Sequence, residues 1–263
     1  MPYFVFDYFN IGSIRVYAWG LFVGLGFCAG YFWLLWQAGK KNIDSIKIIW
    51  LSLLVFVGAL LGSRLLFLLQ TSQRLISDIS LLWDFNGGSM FFGGLLGAIF
   101  FGWFYVKKAK LDFKLIADLA APAAALGIGI GRIGCFLIND HLGAATNLPW
   151  GILWPDGLMR HPVALYESLA GFLIFAALWY LKDKIKKSSG LFLLFLASYS
   201  VIRFLLDFLR ESQGYLADPR WLSLTSSQWV SIFIILYVTF CVTKSNQKSP
   251  RKDSNLIKSD SPS

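Results

Sequence analysis

The sequence predicts an all-α integral membrane protein with seven transmembrane helices, its N-terminus outside and its C-terminus in the cytoplasm. Three observations carry that expectation. The 263 residues are 56% hydrophobic and only 15% charged, against about 25% charged in an ordinary soluble domain. Mean hydropathy is +0.60. Seven apolar runs are long enough to cross a bilayer, which takes about 20 residues each.

The runs fall at 14–38, 48–70, 88–106, 115–135, 164–181, 190–209 and 226–243. The first is longer than a span needs, which a tilt would accommodate. Residues 1–13 read as a short interfacial segment, with Arg15 and Tyr17 as anchors. The loop 71–87, holding Trp83, is expected outside and suits an interfacial helix. The third span opens on the glycine-rich stretch 86–97, NGGSMFFGGLLG. Glycines there suit either helix packing or the close approach of a headgroup. The fourth span carries Asp118, Pro122 and a glycine ladder ending at Arg132. The longest external loop, 136–163, follows it. Residues 1–243 form one transmembrane domain, and 244–263 read as a basic disordered tail.

Charge sets the orientation. Lysines cluster at 40–47, 107–114, 182–187 and in the tail, which are alternate connections. The intervening ones carry only Arg74, Arg160, Arg210 and Arg220. The positive-inside rule then puts the lysine-rich loops in the cytoplasm. A net charge of +9 spread in this way marks topology, not a nucleic-acid surface. The first apolar run lacks a basic leader and a cleavage site and reads as a retained span. Three cysteines in three spans and two histidines suggest neither a disulfide framework nor a metal site.

Chemistry concentrates on a few polar residues at the outer ends of the spans. Arg132 closes an apolar run inside GRIGCFLINDHLG (131–143). A charge in the membrane costs roughly 2.5–3.5 kcal/mol on insertion scales, so it marks a function or a partner. Tyr199, Arg203 and Asp207 repeat at i, i+4, i+8, which stacks them on one helix face about 6 Å apart. They suit either a site or an ion pair that fixes packing. Arg64, Arg132 and Arg203 lie at similar depth on three helices, and convergence would make a phosphate site, because guanidinium binds phosphate bidentately. Separate snorkelling arginines are the plainer alternative. Glu167 enters the fifth span beside Tyr166 and needs a basic partner. Asn139, Asp140 and His141 form a polar triplet, with Asp140 the better candidate base. Cys135 has no companion on its helix and reads as a small buried hydrophobe.

Taken together, GSRLLF (62–67), GGSMFFGGLLG (87–97), GRIGCFLINDHLGAAT (131–146), PWG (149–151), HPVALYE (161–167) and YSVIRFLLDFLR (199–210) resemble, in order, segments of the bacterial prolipoprotein diacylglyceryl transferase family. The resemblance implies a multi-pass enzyme of the bacterial inner membrane, with its active site toward the outer leaflet. It implies transfer of the diacylglyceryl group of phosphatidylglycerol to the lipobox cysteine of a prolipoprotein. A thioether forms and glycerol 1-phosphate leaves, and neither metal nor dissociable cofactor is needed. By position it implies Arg132, Arg203 and Asp140 as catalytic residues. Substrate contacts would come from Arg132, Arg203, Tyr199 and Gly143, to which the reading of the residues themselves adds Gly93, Gly94, Arg64 and Glu167. The partners would be membrane phospholipid and a prolipoprotein signal segment, with no nucleic acid.

Three positions depart from the family pattern. Phe92 stands where a histidine or tyrosine is usual, Trp19 where a tyrosine is usual, and Cys135 where an asparagine is usual. Phenylalanine neither accepts a proton nor bonds a headgroup. A divergent paralogue that keeps the phospholipid site but transfers another group, or none, is the alternative. A transporter would need broken helices and an inverted repeat, and neither is visible in the sequence.

Overall fold

A computed structural model describes residues 1–73, 78, 90–140, 142–212 and 217–247. Seven long helices run through them: α1 Ala18–Lys40, α2 Ser45–Gln70, α3 Phe91–Lys108, α4 Phe113–Leu137, α5 Val163–Leu181, α6 Gly190–Leu206 and α7 Ser226–Gln247. Six are long and apolar enough to cross a membrane by length and composition. The seventh, α3, has 18 residues and ends on Lys107 and Lys108. Three two-stranded hairpins punctuate the helices: β1 Tyr8–Ile11 with β2 Ile14–Tyr17, β3 Ile152–Leu153 with β4 Met159–Arg160, and β5 Arg220–Trp221 with β6 Leu224–Thr225. Expectations for the loop around Trp83, for Gly87 and Gly88, for His141 and for the tail beyond 247 fall outside the described residues.

One expected boundary is corrected. Residues 14–17 do not begin the first helix but form strand β2, paired antiparallel with β1 from Tyr8↔Tyr17 to Ile11↔Ile14. Gly12, at φ +61°, supplies the left-handed residue of the turn. Ile14 and Val16 are β-branched and favour the strand. The Ala18 amide donates to the Asp7 carbonyl at 2.8 Å and locks the hairpin to the start of α1.

The chain divides into two compact units, residues 31–120 and residues 1–30 with 121–263. In the first, α2 packs on α3 through two glycine pairs at the same spacing, Gly58 and Gly62 against Gly93 and Gly97. A methyl group at Gly58 would stand 2.7 Å from the Gly97 carbonyl oxygen. Only glycine permits this approach, and it brings dispersion contacts that lipid tails cannot match. Asp44 caps α2 by accepting from the Ile46 amide at 2.9 Å. Lys47 Nζ donates to the Ala109 carbonyl at 3.4 Å.

In the second unit the glycine ladder of α4 serves two neighbours. Gly127 and Gly134, seven apart, share a face, and α1 fits against it. A methyl at Gly26 would lie 2.6 Å from the Gly127 carbonyl oxygen, and Gly134 meets Trp19 and Phe22. Gly129 and Arg132 share another face, and α5 fits there, with a methyl at Gly171 falling 2.7 Å from the Gly129 nitrogen. The Ser168 hydroxyl donates to the Gly129 carbonyl across that crossing at 2.7 Å. Ala121 and Ala125 of α4, Ile174 and Leu178 of α5, and Leu191 and Phe195 of α6 form a buried cluster. Helix α7 begins with a capping box: Thr225 Oγ1 accepts from the Gln228 amide at 3.2 Å, and Gln228 Oε1 accepts from the Thr225 amide at 3.0 Å.

Candidate functional site

Helices α4, α5 and α6 each end or begin beside the same buried carboxylate. Glu167, in the first turns of α5, is 5% exposed. Its Oε2 lies 2.7 Å from Nε of Arg132, and its Oε1 pairs with Nη1 of Arg203. Arg203 also reaches Asp207 Oδ1 at 3.1 Å and donates to Ser227 Oγ at 3.1 Å. The i, i+4 spacing read from the sequence thus forms its ion pair. It continues through Arg210, 3.7 Å from Asp207, to Asp218, 2.8 Å from Arg210. The Thr225 hydroxyl donates to the other oxygen of Asp207, whose side chain is fully buried.

The result is an alternating row: Arg132, Glu167, Arg203, Asp207, Arg210, Asp218. Three guanidinium groups face three carboxylates, so the row is neutral. Breaking such a buried pair by removing one partner costs about 3–5 kcal/mol, because it strands a charge away from water. Arg132 is the member with reach to spare. It spends Nε on Glu167, its side chain is 19% exposed, and the other contact its guanidinium makes among the described residues is a 3.9 Å approach to Cys135 Sγ. An oxyanion held against that free edge would remain within the field of a second cation, Arg203.

Asp140 stands three residues past the end of α4 and is exposed in part. Burial against the surrounding protein raises its carboxyl above the usual carboxylate range, and the charges of Arg132 and Arg210 pull the other way. Desolvation wins. A carboxylate tuned upward is a better match to a thiol proton than an ordinary aspartate.

Gly143 lies in a short extended segment between two others. The Ala144 amide donates to Leu209 at 2.8 Å and the Glu211 amide to Leu142 at 2.9 Å on one side. On the other, the His161 amide donates to Ala144 at 3.0 Å and the Thr146 amide to Met159 at 2.7 Å. A side chain at Gly143 would collide with the His161 backbone. Tyr199 stacks on Phe195 with ring centroids 5.9 Å apart, and its hydroxyl makes no hydrogen bond to a described protein group. Arg64, Gly93 and Gly94 belong to the 31–120 unit. The Arg64 guanidinium lies 5.3 Å from the Phe67 ring. Gly93 and Gly94 face Gly62, Ala59 and Ser63 of α2. Phe92 precedes them, 37% exposed.

Sequence reasoning placed Arg160 and Arg210 in external loops as ordinary charges; the structure buries both at 6% exposure. Arg160 donates to the Gly143 carbonyl at 2.9 Å and pairs with Asp156 at 2.6 Å and Glu211 at 2.5 Å. That hydrogen bonding depresses the Asp156 carboxyl below its usual range. The i, i+4 spacing of Asp156 and the i, i+3 spacing of Asp207 were the available signals. Tyr166 accepts from Trp150 Nε1 at 2.7 Å and lies 3.3 Å from His161 Nδ1. Burial lowers the His161 imidazole below its usual pKa.

Residues 7–243 match the family described as prolipoprotein diacylglyceryl transferase. A relative from Geobacter sulfurreducens is 36% identical over 224 residues, covering 81% of this chain and 85% of its own length. One from Clostridium tetani is 31% identical over 241 residues, covering 88% and 94%. One from Chromohalobacter salexigens is 33% identical over 252 residues, covering 90% and 91%. Each of the three is named phosphatidylglycerol–prolipoprotein diacylglyceryl transferase.

Proposed function

The chain belongs to the prolipoprotein diacylglyceryl transferase family, and from that premise we propose that it transfers the diacylglyceryl group of phosphatidylglycerol to the lipobox cysteine of a prolipoprotein. The carbon–oxygen bond between the glyceryl group and the phosphate breaks, and a carbon–sulfur bond forms. Glycerol 1-phosphate leaves with the bonding pair, and the thiol proton passes to a base. The work takes place in the bacterial inner membrane, on the side of the outer leaflet.

The observation that carries this reading is the Arg132–Glu167–Arg203 bridge. Negative charge grows on the phosphate as the bond to carbon lengthens. Fixed guanidinium groups in a water-poor site stabilise that charge without reorganising, and one lost donor of this kind costs about 2.7–4 kcal/mol. Glu167 holds both arginines at one place, and Arg132 turns its free edge to the ligand. Asp140, or a phosphate oxygen of the lipid, takes the thiol proton. Tyr199 offers its hydroxyl to the headgroup from the face that carries Arg203. Gly143 adds a substrate contact within the same unit.

Phe92 favours a second reading, in which the chain binds phospholipid but transfers another group or none. One assay separates the two. Purified protein in liposomes is given phosphatidylglycerol labelled in its acyl chains and a lipobox peptide. Labelled thioether is expected, and Arg132→Ala or Arg203→Ala should abolish it. No transfer by the unaltered chain overturns the proposal. Wild-type rates in both variants overturn the arginine mechanism.

A further inference from the structure

A second polar site stands apart from the ionic row. The β1–β2 hairpin overhangs an open cleft of about 400 Å³ lined by Asp7, Tyr8, Arg15, Tyr17, Trp19 and Ile138. That is the size of a small-ligand site. Gly134 of α4 lies two residues, about 200° of helix, from Arg132, and the Ile138 amide just past the helix end donates to the Gly134 carbonyl at 3.2 Å, so the cleft and the ionic row lie on different sides of the end of α4.

Arg15 is the informative residue. Its guanidinium sits 4.3 Å from the centre of the Tyr8 ring. Among the described residues it donates to no protein acceptor and pairs with no carboxylate. Arg132, Arg160, Arg203 and Arg210 are each matched to an acid; Arg15 keeps its five donors free. The hydroxyls of Tyr8 and Tyr17 and the carboxylate of Asp7 have no hydrogen-bond partner among the described residues either.

Depth identifies the occupant. Two apolar, membrane-length helices stop at the walls of the cleft: α1 begins at Ala18, between Tyr17 and Trp19, and α4 ends at Leu137, directly before Ile138. Where spans end, the surroundings are lipid headgroups, and tyrosine and tryptophan favour that layer. At the hairpin tip Ile11 and Ile14 are 61% and 66% exposed, an apolar pair better placed among lipid than in water.

We propose that this cleft binds one anionic phospholipid headgroup from the adjoining leaflet, its phosphate on Arg15 and its headgroup hydroxyls on Asp7 and the two tyrosines. The bound lipid is not the transferred substrate; it fastens the hairpin, and through it the start of α1, to the membrane surface. Asp7 selects hydroxyl-bearing heads such as glycerol, because a bare phosphate would meet its negative charge. The site stands independently of the transferase reading.

Native mass spectrometry of the full chain, released from micelles titrated with phosphatidylglycerol or phosphatidylcholine, tests it. Arg15→Gln should retain one phosphatidylglycerol fewer than wild type, with at least a fivefold weaker titration for that lipid. Retention of phosphatidylcholine, melting temperature and transfer activity at saturating lipid should stay unchanged. Excess glycerol phosphate should not displace the lipid. Tyr17→Ala removes a wall of the cleft and should lose the same lipid, and it carries the test should Arg15→Gln not fold. An unchanged phosphatidylglycerol count overturns the proposal. So does an equal loss of both lipids, displacement by free glycerol phosphate, or Arg15-dependent retention of a lipobox peptide in place of lipid.

Discussion

Helices α2 and α3 meet through bare backbone, whereas α4, α5 and α6 meet, at their polar ends, through charge. Both are answers to one problem. In a bilayer the hydrophobic effect does not press helices together, because the surrounding tails are as apolar as leucine. Two glycine pairs at matched spacing answer with close packing. They bring the two backbones together and hold the helices by contact. The Arg132–Glu167–Arg203–Asp207 row answers with ion pairs. That is a poor route to stability, since desolvation offsets much of the attraction. What it yields is a set of fixed charges in a medium that does not screen them. Under the proposed mechanism the contrast separates what holds this protein together from what equips it for reaction.

That contrast breaks most visibly at Glu167. Glu167→Ala leaves the buried Arg203 and the half-buried Arg132 without their shared acid, and should destabilise the protein by about 3–5 kcal/mol. Transfer should fall at least a hundredfold. Unfolding in detergent and initial rates with labelled lipid read the two effects, and if both persist unchanged the ionic row is not what organises the site.

Asp140→Asn tests the proton chemistry with less effect on stability. A general base contributes about 10²–10⁴ in rate, so a loss of about a hundredfold is expected. The base works ionised, so wild-type activity should drop on acidification. Because the Asp140 carboxyl is raised, the drop should centre above the ordinary aspartate value of about 3.9. The Asn variant should lose that acidic limb; a limb that survives in it assigns the base elsewhere.

The packing region predicts the opposite pattern. Gly58→Val drives a branched side chain into the Gly97 carbonyl and Phe101, and overpacking costs about 1–3 kcal/mol. The melting temperature should fall while KM per folded molecule holds within threefold. A large KM change would erase the division between the two regions.

The smallest effect belongs to Tyr199→Phe. It removes one hydroxyl that no described protein group uses, at about 0.5–1.5 kcal/mol for a net hydrogen bond. Activity should fall up to tenfold with stability unchanged. A drop in stability would make Tyr199 a packing residue of the Phe195 stack alone.

Much of the helical frame was legible because helices in lipid announce themselves by length and apolarity. The ends of α2, α5 and α6 fall within a few residues of the runs read from sequence. The hairpin was not legible: Ile14–Tyr17 continues the apolar run of α1, and hydropathy alone does not distinguish a strand from a helix start. Within the site, the Arg203–Asp207 pair was visible because its partners sit one helical turn apart. The meeting of Arg132 and Arg203 on Glu167 was not, because three separate helices bring it about. Arg160 was missed for the same reason, as Glu211 lies far along the chain and only its second acid, Asp156, is local.

The bridge on Glu167 also sets a timetable for biogenesis. Arg132 leaves the ribosome about 35 residues before Glu167 and about 70 before Arg203. At synthesis rates of about 5–20 residues per second, Arg132 waits on the order of 2–7 s for its first partner. During that interval the end of α4 is a lone cation beside the inserting chain. The headgroup layer is where such a cation can wait, and the open glycine face of α4 is where α5 must then arrive. The site therefore closes in chain order, Glu167 reaching Arg132 first, and a nascent chain that has not yet delivered α6 carries the first arginine of the site without the second.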